Sequence, residues 1–162
     1  MRLLAPFRPI LTDPTLLLAA VLLVLFGVHL ASVLDAGHDR AREFDIDVNG
    51  TRNVVDCCLA AGVGHLTVTS SGAAYGYHAD NPDWIDETDP LRGNPAFAYS
   101  DHKRQIEELL AETRISHPEL RQLLFRPGTI LGATTSNLIT RLFTAKRILH
   151  IRGSNSPFVF IW

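Results

Sequence analysis

The chain has 162 residues, of which 46% are hydrophobic and 20% are charged, and its formal net charge is -2. This length allows one domain, the composition excludes a disordered chain, and the near-neutral charge gives no reason to expect a nucleic acid as partner. The only two cysteines, Cys57 and Cys58, are adjacent, and the histidines form no ligand-spaced cluster. The sequence therefore predicts a reduced, cytoplasmic protein with neither a disulfide framework nor a metal site.

The first candidate element is an apolar run over residues 16–28, preceded by two arginines. It is shorter than the roughly 20 residues of a typical membrane span, although a secretory segment or a membrane anchor over residues 15–32 stays open as an alternative. The favoured interpretation is a helix with Asp13 as N-cap and Pro14 in its first turn, followed by a strand over residues 24–30. That strand is apolar on both faces, which is typical of a buried parallel strand.

Strand-like and helix-like segments alternate along the rest of the chain. Apolar residues recur at helical spacing over residues 39–61, and Gly62 follows as a stop signal. The other predicted elements are a strand at 65–71, a polar connection at 72–94, a helix at 95–117, a strand at 120–128, a helix at 136–146 and a final apolar segment, "FVFIW". This alternation predicts an α/β fold with a parallel sheet.

Ligands of such sheets bind beyond the carboxyl ends of the strands. In this chain the three strand exits carry the small or polar stretches "HLAS", "TSSG" and "RPGT". A backbone that approaches a ligand closely needs residues of this kind. The three exits are therefore the predicted place for a functional site.

Tyr99 and Lys103 in "AYSDHK" lie four residues apart on a predicted helix, so their side chains share one helix face. A lysine cation beside a phenol favours the phenolate and lowers the tyrosine pKa, which suits general acid–base catalysis. A serine at a neighbouring strand exit could hydrogen-bond the same substrate oxygen. On spacing alone, an ordinary exposed helix pair is the more frequent explanation of these two residues.

Five motifs in one order change that balance: "VHLAS", "VNGTRNVVDCCLAAGV", "VTSSGAAYG", "DETDPLRGNPAFAYSDHKRQIEELL" and "LLFRPGTILG". Together they resemble the extended short-chain dehydrogenase/reductase family, the NAD-dependent epimerases and dehydratases. The resemblance covers about residues 10–162. It implies a partial Rossmann-like, doubly wound parallel sheet in a single domain that spans the chain.

The resemblance also implies roles for individual residues. Tyr99 is the catalytic acid/base, Lys103 is its partner and also holds the nicotinamide ribose, and Ser71, with Ser70 as the fallback, is the catalytic hydroxyl. The implied cofactor-binding positions are Leu30, Ala31, Ser32, Thr69, Tyr99, Lys103 and Pro127. Glu107 matches a family glutamate of structural role. The implied cofactor is NAD or NADP, the implied substrate is a nucleotide sugar or a steroid- or flavonoid-type alcohol, and the family is often homodimeric.

Three departures from the family pattern, and a smaller change at Asp47, modify this expectation. The first glycine is Gly27, so the glycine-rich turn that holds the pyrophosphate is absent from the sequence, as is the strand that selects NAD or NADP. Of the adenine-contacting acids only Asp13 remains, and Asp47 stands where the family often has asparagine. We therefore expect a chain without the first βαβ unit, truncated at both ends, that binds the cofactor weakly or not at all. A non-catalytic remnant and a protein anchored by residues 15–32 are the alternatives.

Overall fold

The computed structural model describes residues 26–32, 39–136, 138–147, 152–153 and 159–161. The predicted N-terminal helix, and most of the proposed membrane anchor, lie outside these residues. Among the helices that the structure describes, none combines the length and apolar character needed to cross a bilayer.

A three-stranded parallel sheet forms the centre of the described fold. Its strands are β1 (Phe26–His29), β2 (His65–Thr69) and β3 (Arg121–Phe125), and they lie in the order β1-β2-β3. The register pairs Val28 with Thr67 and Thr67 with Leu123. The prediction of three neighbouring parallel strands is confirmed for the described residues, and the three strand exits point to the same edge of the sheet.

The crossover between β1 and β2 is one continuous helical segment with an irregular middle. Its parts are α1 (Arg40–Phe44), a π-helical turn (Asp45–Asn49) and α2 (Gly50–Ala60). Asp39 caps the segment, because its carboxylate accepts a hydrogen bond of 3.0 Å from the Arg42 amide. The predicted helix over residues 39–61 is confirmed in extent, but the sequence analysis did not predict its π-helical turn.

The crossover between β2 and β3 contains α3 (Ala98–Ser116), the longest helix described. Its predicted start at Pro95 is wrong by three residues. The Phe97 amide instead donates a hydrogen bond of 2.8 Å to the Asn94 carbonyl and closes a turn. The helix begins only after Phe97, whose backbone is extended at φ -118°.

Both crossover helices pack on the same face of the sheet. The central β2 residues Leu66 and Val68 are 0% and 1% exposed beneath them. The rest of this core consists of Val48, Val55, Cys58, Val63, Ile106, Leu109, Leu110 and Leu120. On the opposite face Val28, Leu123 and Phe125 remain 66%, 44% and 52% exposed. The described part of the chain thus supplies one of the two helical layers of a doubly wound fold.

Several short elements complete the structure. They are a 3-10 helix (Gly72–Tyr75), β4 (Thr129–Ile130), α4 (Leu138–Thr144) and β5 (Phe160–Ile161). β4 and β5 pair in parallel as a separate two-stranded sheet. Gly128 permits this approach, because a Cβ atom there would lie 2.9 Å from Val159 Cγ1. The helix predicted over residues 136–146 is present in a shorter form.

Candidate active site

Tyr99 and Lys103 lie in the first two turns of α3 and contact each other. The Lys103 Nζ atom is 5.6 Å from the centre of the Tyr99 ring. Lys103 is only 3% exposed, whereas Tyr99 is half-buried. A lysine is almost never buried to this degree unless it is paired. The alternative of an ordinary exposed helix pair is therefore wrong for Lys103.

The Lys103 ammonium is held against the carboxyl end of β2. Its Nζ donates a hydrogen bond of 3.3 Å to the Thr69 backbone carbonyl. Burial lowers the pKa of Lys103, while the charges of Asp47 and Glu107 oppose that shift. Tyr99 is thereby brought to the predicted strand exit together with its cation.

Ser70 and Ser71 follow β2 but use their hydroxyl groups differently. Ser70 Oγ donates to Glu107 Oε1 at 2.5 Å, so its hydrogen is committed. Ser71 Oγ accepts a hydrogen bond of 3.1 Å from the Ala73 amide at the start of the 3-10 helix. No acceptor for the hydroxyl hydrogen of Ser71 is found among the described residues, which favours Ser71 over the fallback Ser70 as the group that meets a substrate oxygen.

Glu107 is the centre of a buried ionic network. Both of its carboxylate oxygens accept from the Arg126 guanidinium at 2.6–2.9 Å, and its side chain is 2% exposed. Arg126 Nη1 also donates to Tyr75 Oη at 2.6 Å, and Glu107 raises the pKa of Arg126 above its already high value. The network ties α3 to the ends of β2 and β3, in agreement with the structural role expected for Glu107.

The predicted cofactor-side residues of the other strand exits lie at the same edge. Leu30 and Ala31 follow β1 and are exposed. Ser32 Oγ donates to Asp47 Oδ1 at 3.1 Å, so this hydroxyl faces the helical layer. The Pro127 carbonyl after β3 accepts a hydrogen bond of 3.0 Å from the Gly72 amide. This bond holds the exits of β2 and β3 together.

The long connection after the 3-10 helix packs beside Tyr99. Tyr77, Phe97 and Tyr99 form a row of rings with neighbouring centroids 6.1 and 6.0 Å apart. His78 Nε2 contacts the Gly93 carbonyl at 2.7 Å, and Asp80 pairs with Arg92 at 3.0 Å. These two polar residues therefore serve the fold of the connection, whereas the aromatic row borders the candidate site.

The profile of the NAD dependent epimerase/dehydratase family matches residues 11–159. The chain belongs to this family. The match includes every predicted strand exit and the pair Tyr99 and Lys103. The family assignment inferred from the sequence motifs is thus confirmed.

Individual relatives of this epimerase/dehydratase chain agree with the assignment. It is 33% identical over 117 residues to N-acetyl-alpha-D-glucosaminyl-diphospho-ditrans,octacis-undecaprenol 4-epimerase of Escherichia coli O157:H7, covering 69% of this chain and 34% of that protein. It is 29% identical to the sterol-4-alpha-carboxylate 3-dehydrogenase, decarboxylating, of Saccharomyces cerevisiae, covering 71% of this chain and 32% of that protein. The chain thus spans about a third of the length of these curated relatives.

A solved structure shows the same fold with a nicotinamide cofactor. The short-chain dehydrogenase/reductase superfamily protein from Agrobacterium tumefaciens, determined with bound NAD, is 30% identical and superposes with a TM-score of 0.59. The match covers 75% of this chain and 37% of that one. The Rossmann-like α/β fold class is confirmed, and NAD or NADP is the cofactor of the family.

The described residues fit the nicotinamide end of such a cofactor. A lysine ammonium has three hydrogens to donate, and among the described residues Lys103 uses one of them, on Thr69. The others suit the hydroxyl groups of a ribose. The residues assigned to cofactor binding stay predictions at the level of each side chain.

Sequence reasoning missed two groups of residues around this epimerase/dehydratase site. Arg126, which lies 19 residues after Glu107 in the sequence, was not recognised as the partner of that carboxylate. Nor was His102, whose Nδ1 lies 3.4 Å from Asp47 Oδ2 across 55 residues. The departure at Asp47 from the usual family asparagine was the one visible signal.

Proposed function

We propose that this chain carries the catalytic, nicotinamide-side part of an NAD(P)-dependent epimerase, dehydratase or dehydrogenase that acts on a secondary alcohol. One observation carries the proposal: the cation of Lys103, 3% exposed, lies 5.6 Å from the Tyr99 ring at the exit of β2. Membership of the family supports the reaction class.

Three side chains divide the proton chemistry. The Tyr99 phenolate accepts the hydroxyl proton of the substrate as its carbon is oxidised, and returns the proton in the reverse direction. Lys103 stabilises the phenolate, and the Ser71 hydroxyl donates a hydrogen bond to the reacting oxygen. A bound nicotinamide supplies the acceptor and donor of the hydride. The Thr69 carbonyl keeps the Lys103 ammonium in place throughout.

We propose a cyclic alcohol as substrate, with nucleotide sugars as the first class and steroid-type alcohols as the second. The name of the E. coli epimerase supports a sugar linked to a diphosphate, the group that nucleotide sugars also carry, and the name of the yeast sterol dehydrogenase supports the second class. The aromatic row of Tyr77, Phe97 and Tyr99, of which Tyr77 and Phe97 are exposed, supports a ring-shaped ligand, because aromatic faces pack well on such rings. A competition experiment between a sugar nucleotide and a sterol for binding to this surface would distinguish the two substrate classes.

We further propose a cytoplasmic enzyme that works as a homodimer. The free thiols of Cys57 and Cys58 support a reducing compartment. The dimer rests on the family resemblance. Sedimentation of the purified protein tests the dimer directly.

The experiment for the catalytic proposal is a single substitution, Tyr99→Phe. The phosphate-binding segment of the E. coli relative is joined ahead of residue 11, so that turnover and NAD binding can both be measured. We expect turnover to fall by about 10²–10⁴-fold, since the phenol transfers the proton, while the dissociation constant for NAD stays unchanged. Calorimetric titration and a steady-state assay give the two readouts.

The matched control is Tyr77→Phe, which removes a phenol from the same aromatic row. Tyr77 is 70% exposed and phenylalanine keeps the ring that would pack on the ligand, so this change should leave turnover intact. Equal activity of the Tyr99→Phe chain and the control would refute the assignment of Tyr99 as acid/base.

A further inference from the structure

A group of polar side chains is buried between β1, the helical crossover and α3. Thr51, Asp47, His102 and Lys103 are 0%, 2%, 2% and 3% exposed, and His29 is 9% exposed. Removing charges from water to this degree is costly, and only mutual compensation makes it tolerable. The group adjoins the proposed acid/base pair through Lys103, which belongs to both.

The Asp47 carboxylate is fixed from two sides. Its Oδ1 accepts from Ser32 Oγ at 3.1 Å, and its Oδ2 lies 3.4 Å from His102 Nδ1. Its backbone carbonyl accepts from Thr51 Oγ1 at 2.6 Å. Asp47 lies in the π-helical turn, a local structure that often occurs at functional sites.

The hydrogen-bond pattern also defines the state of His29. The single hydroxyl hydrogen of Thr51 is used on the Asp47 carbonyl. The contact of 3.0 Å between His29 Nε2 and Thr51 Oγ1 therefore requires the hydrogen on Nε2. Burial and the nearby Lys103 cation lower the pKa of His29, so a neutral imidazole fits this place.

The charged and titratable groups that interact with Lys103 come from three elements. They are His29 of β1, Asp47 of the π-helical turn, and Tyr99 and Glu107 of α3, and His102 of α3 contacts Asp47. Two of these are carboxylates that favour the ammonium form. Glu107 is already neutralised by its two-pronged contact with Arg126. The Asp47 carboxylate is the other negative charge facing the Lys103 cation.

We propose that Asp47 is a positioning residue for Lys103: from the π-helical turn it supplies the buried negative charge that keeps this lysine cationic beside Tyr99. Ser32 and His102 orient the carboxylate, and Thr51 fixes the backbone that carries it. The catalytic meaning of this role rests on the function proposed above. The charge effect itself is a property of the fold and can be measured without turnover.

The sequence offers a direct test, because Lys103 and Lys146 are its only lysines. A chain labelled with carbon-13 at lysine Cε gives two resonances, and exposed Lys146 serves as the internal reference. Titration with pH then yields the pKa of Lys103. In Asp47→Asn we expect that pKa to fall by about one unit or more, because a buried opposite charge that favours the ammonium form is removed.

The matched control is Asp45→Asn in the same π-helical turn. Asp45 is exposed and accepts a hydrogen bond from Asn49 Nδ2 at 2.9 Å. The Asp45→Asn change should leave the pKa of Lys103 unchanged. Asp47→Glu keeps the carboxylate, so its Lys103 pKa should lie close to that of the unaltered chain. Identical Lys103 titrations in the Asp47→Asn and Asp45→Asn chains would overturn the proposal.

A second measurement decides the question if Asp47→Asn does not fold. The double variant Asp47→Asn/Lys103→Met removes both charges, so its denaturation midpoint should exceed that of Lys103→Met alone. A double variant that is no more stable than Lys103→Met overturns the proposal. Neither measurement uses NAD. An unchanged Lys103 titration in Asp47→Asn therefore refutes only the role of Asp47, whereas full activity of Tyr99→Phe refutes only the acid/base assignment.

Discussion

Glu107 and Glu108 are neighbours in sequence with opposite environments. Glu107 is 2% exposed and bound by Arg126, whereas Glu108 is 52% exposed and pairs with Arg104. One carboxylate is therefore part of the interior and the other belongs to the surface. A comparison of the two residues therefore distinguishes how much a buried ion pair contributes to the free energy of unfolding from how much an exposed one contributes.

We predict that Glu107→Gln lowers the free energy of unfolding by about 2–4 kcal/mol, because it leaves Arg126 without its anion in a largely buried place. Glu108→Gln, the control, should cost less than about 0.5 kcal/mol. Denaturation with urea, followed by circular dichroism, measures both. Similar losses in the two variants would contradict the network.

At the scale of single residues, the sequence predicted the contacts between side chains that are close along the chain. Tyr99 and Lys103 are brought together by helical spacing, which is visible before any fold is known. The partners of Glu107 and Asp47 come from other elements, 19 and 55 residues away. No local pattern encodes such distances, so those contacts became visible only once the strands and helices were placed.

Among the elements, the connection between the 3-10 helix and α3 depends on Gly76. Its φ is 81°, and a Cβ atom there would lie 2.5 Å from the Gly93 carbonyl. The Gly93 amide in turn donates to the Ala74 carbonyl at 3.0 Å. Both ends of the connection meet at this point, beside the aromatic row.

We predict that Gly76→Ala destabilises the chain by about 1–3 kcal/mol, because the backbone is left-handed and the methyl group collides with Gly93. Gly64→Ala is the control, since a Cβ atom at Gly64 meets nothing within 4 Å. The thermal midpoint reports the difference. A midpoint for Gly76→Ala equal to that of the control would show that the connection adapts freely.

The alternation of apolar segments predicted the strands and both long helices, since burial of a repeating face determines such patterns. Their irregularities were not predictable. Val48 and Val55 are both buried, and their spacing fits a regular helix, so nothing marked the π-helical turn between α1 and α2. The late start of α3 likewise depends on a turn at Asn94 that competes with the helix.

At the scale of the whole molecule, the described residues form part of a Rossmann-like α/β fold. Three parallel strands in simple sequential order present their exits to one edge, and one sheet face carries both crossover helices. The chain covers 34% and 32% of its two curated relatives. The sequence motifs predicted this half of the fold correctly because each strand exit carries its own short pattern.

We predict that the 162-residue chain alone binds NAD and NADP with a dissociation constant above about 1 mM. A dinucleotide depends on a glycine-rich turn for its pyrophosphate, and each charge-assisted hydrogen bond that is lost there costs about 1.5–3 kcal/mol. Calorimetric titration measures the affinity, with the Agrobacterium tumefaciens protein that was determined with bound NAD as positive control. A micromolar constant would show that these residues build a phosphate site of another kind.

Because of the π-helical turn, the packing of the first crossover depends on the exact number of residues in its helical segment. Each residue advances an α-helix by about 100°, and a π-helical turn holds the equivalent of one extra residue. In this chain that extra residue sets the phase between α1 and α2. A gene shorter by one codon here would encode almost the same composition and hydrophobicity, yet the carboxylate and the valines that follow it would no longer face their present neighbours together.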